Sequence, residues 1–212
     1  MLERETWNDR FDAWREAYDR MSYADQQRFY TVVETEFPNQ KQYNVEEAMN
    51  AVQRMANDID ELHVLELGGW KGELASDVLS SSLDKYIHCW INFEICPTLD
   101  GKSVCESSKF QLAIPPDFFW NVSVPDSNVF ISAHCLEHLS MEHVKLLIKK
   151  LDTIPSLKWV YIESPLEESP YSWKQYYGSH VLEVGWPEVE KLLEQIGFHI
   201  ERTGWFCLGF RS

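Results

Sequence analysis

The chain has 212 residues, 44% of them hydrophobic, which is enough for one well-buried α/β domain with an appendage but hardly for two independent cores. Asp and Glu outnumber Lys and Arg by 34 to 19, so the formal net charge is −15. Nucleic acids and anionic membranes attract proteins through clustered basic side chains, and this charge balance argues against both as partners.

The cysteines and the amino end of the chain are typical of a cytoplasmic protein. The 5 cysteines form an odd set without a CxxC pair, which fits reduced thiols better than disulfides. The start, MLERETWNDR, lacks an apolar signal region, and no run approaches the roughly 20 apolar residues of a membrane helix. We therefore expect a soluble, cytoplasmic protein.

The first 61 residues have helical patterns. Aromatic side chains recur at helical spacing near the start, Pro38 and Asn39 interrupt the pattern, and apolar side chains then recur every three or four positions from Val45 to Leu62. We expect residues 1–61 to form a helical cap over a main domain of residues 62–212. The aromatic helices offer a surface on which two chains can pair as a homodimer.

Strand and helix patterns alternate after residue 62, which predicts a parallel sheet covered by helices on both faces. The predicted strands are His63–Leu67, Tyr86–Glu94, Phe110–Ile114, Val129–Ala133 and Lys158–Glu163. The predicted helices are Gly72–Ser82, Met141–Leu151 and Trp186–Ile196. Two short strand-like segments around Thr203-Gly204 predict a terminal hairpin.

Three predicted strand ends carry side chains suited to ligand binding. They are Glu66, Gly68, Gly69 and Gly72 after the first strand, Glu94 after the second, and His134, Cys135, Glu137 and His138 after the fourth. Glycines allow a tight turn and a close approach of backbone to ligand, and a carboxylate can accept hydrogen bonds from both hydroxyls of a ribose. Because the carboxyl ends of parallel strands share one edge, this pattern predicts a site for a nucleoside-type ligand.

In this order the motifs resemble those of the class I S-adenosylmethionine-dependent methyltransferases, in their small-molecule branch. HVLELGGWKGELA matches the first motif at Glu66, Gly68 and Gly72, with Trp70 in place of the middle glycine, and INFEIC resembles the second motif. VFISAHCLEHL and YGSHVLEVGWPEVEKLLEQIGF resemble two later segments. The resemblance covers about residues 62–210 and implies a Rossmann-like, doubly wound, mostly parallel seven-stranded sheet with a C-terminal antiparallel hairpin.

The resemblance also implies S-adenosyl-L-methionine as the cofactor. It implies that the amino-acid tail lies beside the glycine turn, the ribose at Glu94, and the adenine at Asp117 and Phe118. Trp70 either lies against the cofactor chain and its sulfonium or packs on the N-terminal helices. The implied cofactor-binding residues are Glu66, Gly68, Gly69, Trp70, Gly72, Glu94, Asp117, Phe118 and His134.

The activity that follows is methyl transfer to an oxygen or nitrogen of a small-molecule acceptor by in-line displacement. His138, His134 and His180 are the candidate general bases, because histidine is the side chain best suited to accept a proton near neutral pH. The aromatic-rich segment 169–180 either lines the acceptor pocket or packs as a surface loop. The acceptor itself stays unidentified.

Three alternatives compete with this interpretation. A dinucleotide oxidoreductase is disfavoured, because Trp70 and Glu73 occupy the second and third glycine positions of its Gly-x-Gly-x-x-Gly motif. HCLEH matches the H-x-x-E-H pattern of a zinc hydrolase, with His134, Glu137 and His138. We expect His134 to end a strand, where it lacks the helical spacing of a metal-ligand pair, so no resident metal is expected. The missing middle glycine keeps open a catalytically inactive, methyltransferase-like binding protein.

Overall fold

A computed structural model describes residues 17–36, 44–166 and 185–211 of the chain. Its seven strands are β1 Leu62–Leu67, β2 Ile87–Phe93, β3 Phe110–Ala113, β4 Val129–Ala133, β5 Trp159–Glu163, β6 His199–Thr203 and β7 Phe206–Phe210. They form one sheet in the order β3-β2-β1-β4-β5-β7-β6. β7 is antiparallel to both of its neighbours, and the other pairs are parallel. The predicted α/β fold, mostly parallel sheet and terminal hairpin are confirmed.

Five α-helices accompany the sheet in the described ranges. They are α1 Tyr23–Glu36, α2 Val45–Asp58, α3 Glu73–Leu79, α4 Met141–Asp152 and α5 Trp186–Gln195. None of these described helices is long and apolar enough to cross a lipid bilayer. Short 3-10 turns precede α1 and connect several of the other elements.

Alternating side chains of the strands build two cores, one on each face of the sheet. Leu65, Phe130, Val160 and Ile162 pack with the apolar sides of α4 and α5 on one face. Val64, Val129, Ile131 and Tyr161 pack with α2 and α3 on the other. Since successive strand residues point to opposite faces, central strands of this kind are apolar at nearly every position. α2 is therefore part of the same core as the sheet, while the predicted domain boundary at residue 61 stays a prediction.

Some helix boundaries differ from those predicted. The predicted N-terminal helix is interrupted at Met21, whose backbone is extended, and α1 begins after Ser22, whose Oγ accepts a hydrogen bond from the Asp25 N–H at 3.2 Å. Residues 1–16, Pro38 and Asn39 lie outside the described residues. α2 ends at Asp58 rather than Leu62, because Ile59 is extended and leads into β1.

The strand order reverses direction between β1 and β4. From β1, the first half of the sheet runs to β2 and β3, and the second half runs to β4 and β5 on the other side. The loops after β1 and β4 consequently diverge, which opens a crevice at the carboxyl edge of the sheet. The candidate residues after β1, β2 and β4 therefore share one edge, as the sequence predicts.

Candidate active site

The glycine turn after β1 is shaped by contacts with its protein neighbours. Gly68 and Gly72 have positive φ values of 74° and 85°, a region that favours glycine. A Cβ atom at Gly69 would lie 2.2 Å from the carboxyl carbon of Glu66, so only glycine fits above that side chain. The predicted role of these glycines in ligand approach stays a prediction, and the structure shows that they allow close packing against protein side chains.

Trp70 occupies the middle glycine position with a left-handed backbone, at a φ of 50°. Its N–H donates to Glu94 Oε2 at 3.1 Å, and its carbonyl accepts from Asn92 Nδ2 at 3.1 Å. Asn92 Oδ1 also accepts from the Gly69 N–H at 3.0 Å. Two side chains from the end of β2 thus hold the turn in a conformation that tryptophan rarely adopts.

Glu94 lies at the carboxyl end of β2, where the ribose acid of the resemblance is expected. Its Oε1 accepts from the N–H groups of Ile95 and Cys96 at 2.8 and 3.2 Å, in addition to the Trp70 contact at Oε2. A carboxylate has about four acceptor positions, so Oε2 keeps room for one further donor. Burial raises the pKa of Glu94 to about 7, against the lowering effect of its backbone hydrogen bonds.

Glu66 is buried beneath the glycine turn. Its Oε2 accepts from Trp90 Nε1 at 2.8 Å, and its Oε1 has no hydrogen-bond partner among the described residues. Burial raises the pKa of Glu66 to about 8, so the side chain is mostly protonated at neutral pH. The acid of the first motif is therefore a neutral, buried group, and one of its oxygens has no hydrogen-bond partner among the described residues.

Asp117 and Phe118 lie in the loop after β3. Asp117 Oδ1 accepts from the Phe118 N–H at 2.7 Å, and the other oxygen accepts from Asn121 Nδ2 at 3.2 Å. The Phe118 ring stacks on Trp120, with centroids 5.0 Å apart, and contacts Tyr23 of α1 edge-on at 5.2 Å. The adenine-binding role stays a prediction, and the structure places these residues in an aromatic group beside the crevice.

His134 lies between two buried carboxylates. Its Nδ1 is 3.1 Å from Glu137 Oε1, and its Nε2 is 3.3 Å from Glu163 Oε1. Burial alone lowers the pKa of His134, but the two carboxylates outweigh that effect and raise it to about 9. Both ring nitrogens carry protons in this state, so His134 has no lone pair with which to accept another. This arrangement favours a positioning role over the predicted role of general base.

His138 lies in a 3-10 turn, Leu136–His138, that precedes α4. The predicted helix start at Met141 is confirmed, because Leu139 is extended and Ser140 begins α4 by accepting the His143 N–H on its side chain. The His138 ring packs edge-on against Tyr30 of α1, with centroids 6.4 Å apart. His138 remains the candidate base within the described residues. His180 and the aromatic-rich segment 169–180 lie outside them.

α1 crosses the carboxyl edge and brings residues that the sequence analysis did not identify. Tyr23 Oη donates to the Pro115 carbonyl at 2.8 Å, and Cys96 Sγ lies 3.5 Å from the Tyr30 carbonyl. Burial raises the pKa of Tyr30 well above its ordinary value, and the nearby carboxylates Glu94 and Glu137 raise it further. Tyr30 therefore lies at the carboxyl edge of the sheet, with its carbonyl near Cys96 after β2 and its ring against His138 after β4.

Glu34, at the end of α1, fixes this helix to the loops below it. Its Oε1 lies 3.7 Å from Lys71 Nζ in the glycine turn and 3.6 Å from Lys102 Nζ, and its Oε2 accepts from Thr98 Oγ1 at 3.4 Å. Helical periodicity indicates that such residues lie on a helix, but not which loop the helix covers. The missed residues share no sequence signal beyond their position in a helical run.

The zinc interpretation of HCLEH is not favoured by the geometry. His134, Glu137 and His138 do not form a group with ligand atoms within 4.8 Å of one another, judged over residues 17–36, 44–166 and 185–211. His134 instead uses both nitrogens for carboxylates. His134 follows β4 with a left-handed φ of 51°, so it is not on a helix with His138 and the pair lacks the helical spacing that the zinc pattern requires.

Comparison with known proteins identifies the fold. The chain matches no protein-family model and no curated protein sequence. It is similar to magnesium protoporphyrin IX methyltransferase from Synechocystis PCC 6803 with bound SAH, at 14% identity and a TM-score of 0.60 over 82% of this chain and 90% of that one. A second similar structure is the N-methyltransferase NodS from Bradyrhizobium japonicum WM9 in complex with S-adenosyl-L-homocysteine. It has 14% sequence identity and a TM-score of 0.59, and the match covers 79% of this chain and 86% of that one.

Human N-acetylserotonin methyltransferase in complex with SAM is a third similar structure, at 15% identity and a TM-score of 0.59. The match covers 90% of this chain and 57% of the human one. These matches agree with the mostly parallel seven-stranded sheet of this chain, which has the Rossmann-like methyltransferase fold. The chain therefore has the fold of the class I S-adenosylmethionine-dependent methyltransferases.

Proposed function

We propose that the protein is an S-adenosylmethionine-dependent methyltransferase acting on an oxygen or nitrogen of a small molecule. The observation that carries this proposal is the contact between the glycine turn and Glu94, in which the Trp70 N–H lies 3.1 Å from a buried carboxylate at the carboxyl end of β2, the strand beside β1. That contact brings together the two groups that recognise the tail and the sugar of a nucleoside cofactor. The neighbours crystallised with SAM or SAH support the choice of cofactor.

Two unpaired polar atoms at the glycine turn support this choice of cofactor. Glu66 Oε1 and Trp70 Nε1 are buried and have no hydrogen-bond partner in the described part of the chain. Leaving such groups unpaired costs about 1–3 kcal/mol each, so a ligand that pairs with them gains that amount. Glu94 and the turn from Gly68 to Gly72 would hold the sugar and the tail. Asp117, Phe118 and His134 complete the proposed cofactor-binding residues.

When bound, S-adenosylmethionine supplies a methyl group already activated by a sulfonium, so the protein mainly orients the acceptor and excludes water. The cofactor would be held by Glu94 and the turn from Gly68 to Gly72, and the acceptor oxygen or nitrogen would take the methyl group from it. His138 accepts the proton that the acceptor loses. His134 holds Glu137 and Glu163 in place through its two nitrogens.

The proposal is tested by calorimetry with S-adenosylmethionine and by mass spectrometry of the protein as purified. We expect one binding site per chain, and binding at least tenfold weaker in Glu94→Gln, because a hydrogen bond to a charged group contributes about 1.5–3 kcal/mol. Glu106→Gln, at an exposed glutamate, is the control that keeps wild-type affinity. Absence of binding at millimolar ligand would overturn the proposal.

Catalysis is tested separately from binding. Once an acceptor is found by screening small molecules with isotope-labelled methyl donor, His138→Ala is expected to lower kcat by about 10²–10⁴-fold with cofactor affinity unchanged. Full turnover in His138→Ala would leave positioning alone as the source of catalysis. Cofactor binding without transfer to any acceptor favours the alternative, a catalytically inactive binding protein, for which the tryptophan in the glycine turn is the motivating feature.

Several sequence predictions are untested and are retained as proposals. They are the helical cap over residues 1–61, a homodimer through its aromatic face, the cytoplasmic location and the general-base role of His180.

A further inference from the structure

The amino edge of the sheet, opposite the crevice, carries a β-bulge at the start of β1 and β2. Leu62 pairs with Ile87, but His63 pairs with Cys89, so His88 is an extra residue without a partner in the ladder. A bulge of this kind re-aims a side chain from its usual face. Here the bulge lets the side chains of two consecutive residues, His88 and Cys89, both lie beside His63.

The bulge brings two imidazoles and a carboxylate into contact. The rings of His63 and His88 stack with centroids 4.4 Å apart and planes inclined by 20°. Glu61 Oε1 lies 3.3 Å from His88 Nδ1, and its Oε2 lies 3.8 Å from His63 Nε2. Among the described residues, this is the only group of three such side chains with ligand atoms within 4.8 Å of one another.

The backbone that carries two of these side chains is fixed by Asn128, at the start of β4. Asn128 Nδ2 donates to the Glu61 carbonyl at 2.8 Å, and Asn128 Oδ1 accepts from the His63 N–H at 2.9 Å. The second ring nitrogen of His63 lies 3.7 Å from Cys89 Sγ, which orients the ring. Orienting contacts to the non-ligating nitrogen are typical of histidines that bind metals.

We propose that Glu61, His63 and His88 form a binding site for a divalent transition metal, with Zn²⁺ as the best match. Zinc takes imidazole nitrogens and carboxylate oxygens at about 2.0–2.2 Å, which places neighbouring tetrahedral ligands about 3.3 Å apart. The Glu61–His88 contact already has that length, and the Glu61–His63 contact is half an ångström longer. The Glu61 side chain is 66% exposed, so it can close that gap by rotation.

Three protein ligands leave the fourth tetrahedral position to water or to an external ligand. The site lies at the amino ends of β1 and β2, whereas the crevice lies at their carboxyl ends, so the metal does not contact the proposed reacting groups. The proposal is independent of the methyltransferase function. Its chemistry also differs from the HCLEH pattern, because none of the three ligands belongs to that segment.

The test is calorimetric titration of the chelator-treated full chain with zinc chloride. We expect one Zn²⁺ to bind per chain. In both Glu61→Gln and His88→Gln, zinc binding should be lost or its affinity should be at least tenfold weaker. These two side chains are 66% and 54% exposed, so the variants are expected to fold, and metal-free melting temperatures check this. His199→Gln, at an exposed histidine of β6, is the matched control that keeps zinc binding.

Three outcomes would overturn the proposal. The first is no zinc binding at sub-millimolar concentration. The second is unchanged binding in His88→Gln. The third is loss of the site in His138→Gln while Glu61→Gln retains it, which would assign the metal to HCLEH instead. Zinc should also raise the melting temperature of the wild-type chain but not of His88→Gln, since only a ligand of the folded state stabilises it.

Discussion

Trp90 Nε1 donates a hydrogen bond of 2.8 Å to Glu66 Oε2, and both side chains are completely buried beneath the glycine turn. The indole comes from the middle of β2, and the acid from the next-to-last residue of β1. The hydrogen bond lowers the pKa of Glu66, although burial outweighs it. This hydrogen-bonded pair packs beneath the glycine turn, beside which the cofactor tail is proposed to lie. The turn is therefore supported by a polar contact within an apolar core.

Trp90→Phe is expected to lower the free energy of unfolding by about 1–3 kcal/mol, because it leaves both oxygens of a buried carboxyl group without a partner. Urea unfolding at pH 7 measures the change. Trp159→Phe is the matched control: Trp159 Nε1 donates to Asp58 at 2.9 Å, and water can replace that donor because Asp58 is exposed. Equal losses in the two variants would show that ring volume, not the Glu66 contact, sets the cost.

The free energy of unfolding is expected to fall as pH rises from about 6.5 to 9. His134 has a pKa of about 9 in the folded protein against 6.5 as its ordinary value, so the folded state binds the proton more tightly. Its stabilisation is complete below pH 6.5 and is lost as pH rises through 9, a change of up to about 3 kcal/mol. Denaturant unfolding at a series of pH values measures it.

In His134→Gln the free energy of unfolding should depend less on pH in the upper part of the range from about 6.5 to 9. Glu66 and Glu94, with pKa values of about 8 and 7, add a decline of the same sign that begins near pH 4.5 and persists in the variant. The His134 contribution is therefore the difference between wild type and variant. An identical decline in both proteins would mean that His134 is not charged between its two carboxylates.

Cofactor affinity is expected to increase as pH rises through 7. The free protein holds Glu94 with a pKa of about 7, and a ribose hydroxyl donates best to the ionised carboxylate. Below pH 7 the association constant should therefore rise by up to tenfold per pH unit and level off above it. Calorimetry from pH 5.5 to 8.5 measures this, with Glu94→Gln as the flat reference. A pH-independent wild type would place the cofactor away from Glu94.

Trp70→Ala is expected to weaken S-adenosylmethionine binding by about 2- to 30-fold, which corresponds to 0.5–2 kcal/mol for a cation above an indole. The buried Trp70 Nε1 has no hydrogen-bond partner within residues 17–36, 44–166 and 185–211, which is the structural reason to expect a ligand contact. Trp205→Ala, at a tryptophan that is 48% exposed in the terminal hairpin, is the control. Unchanged affinity in Trp70→Ala would mean that the indole packs only on the protein.

Local patterns predicted the elements of the sheet closely. β4 begins and ends where the sequence places it, since Val129–Ala133 is an apolar run between turn residues. The ends of helices were less well predicted, because they depend on single groups such as the Ser140 side chain at the start of α4. Strand ends that carry Glu66, Glu94 and His138 could be grouped in advance, because parallel strands place their carboxyl ends at one edge.

The roles of those residues depended on contacts that no local pattern contains. His134 is an ordinary candidate base in the sequence, and only the pairing of β4 with β5 brings Glu163 to its second nitrogen. Tyr30 belongs to α1, and only the docking of that helix on the strand ends brings its ring against His138. Periodicity and turn chemistry act between residues near in sequence, so they determined the strands, the glycine turn and the shared edge of this protein. Burial and charge depend on which distant segments meet, so the tertiary structure alone decided which acids are neutral, which histidine is charged and what covers the crevice.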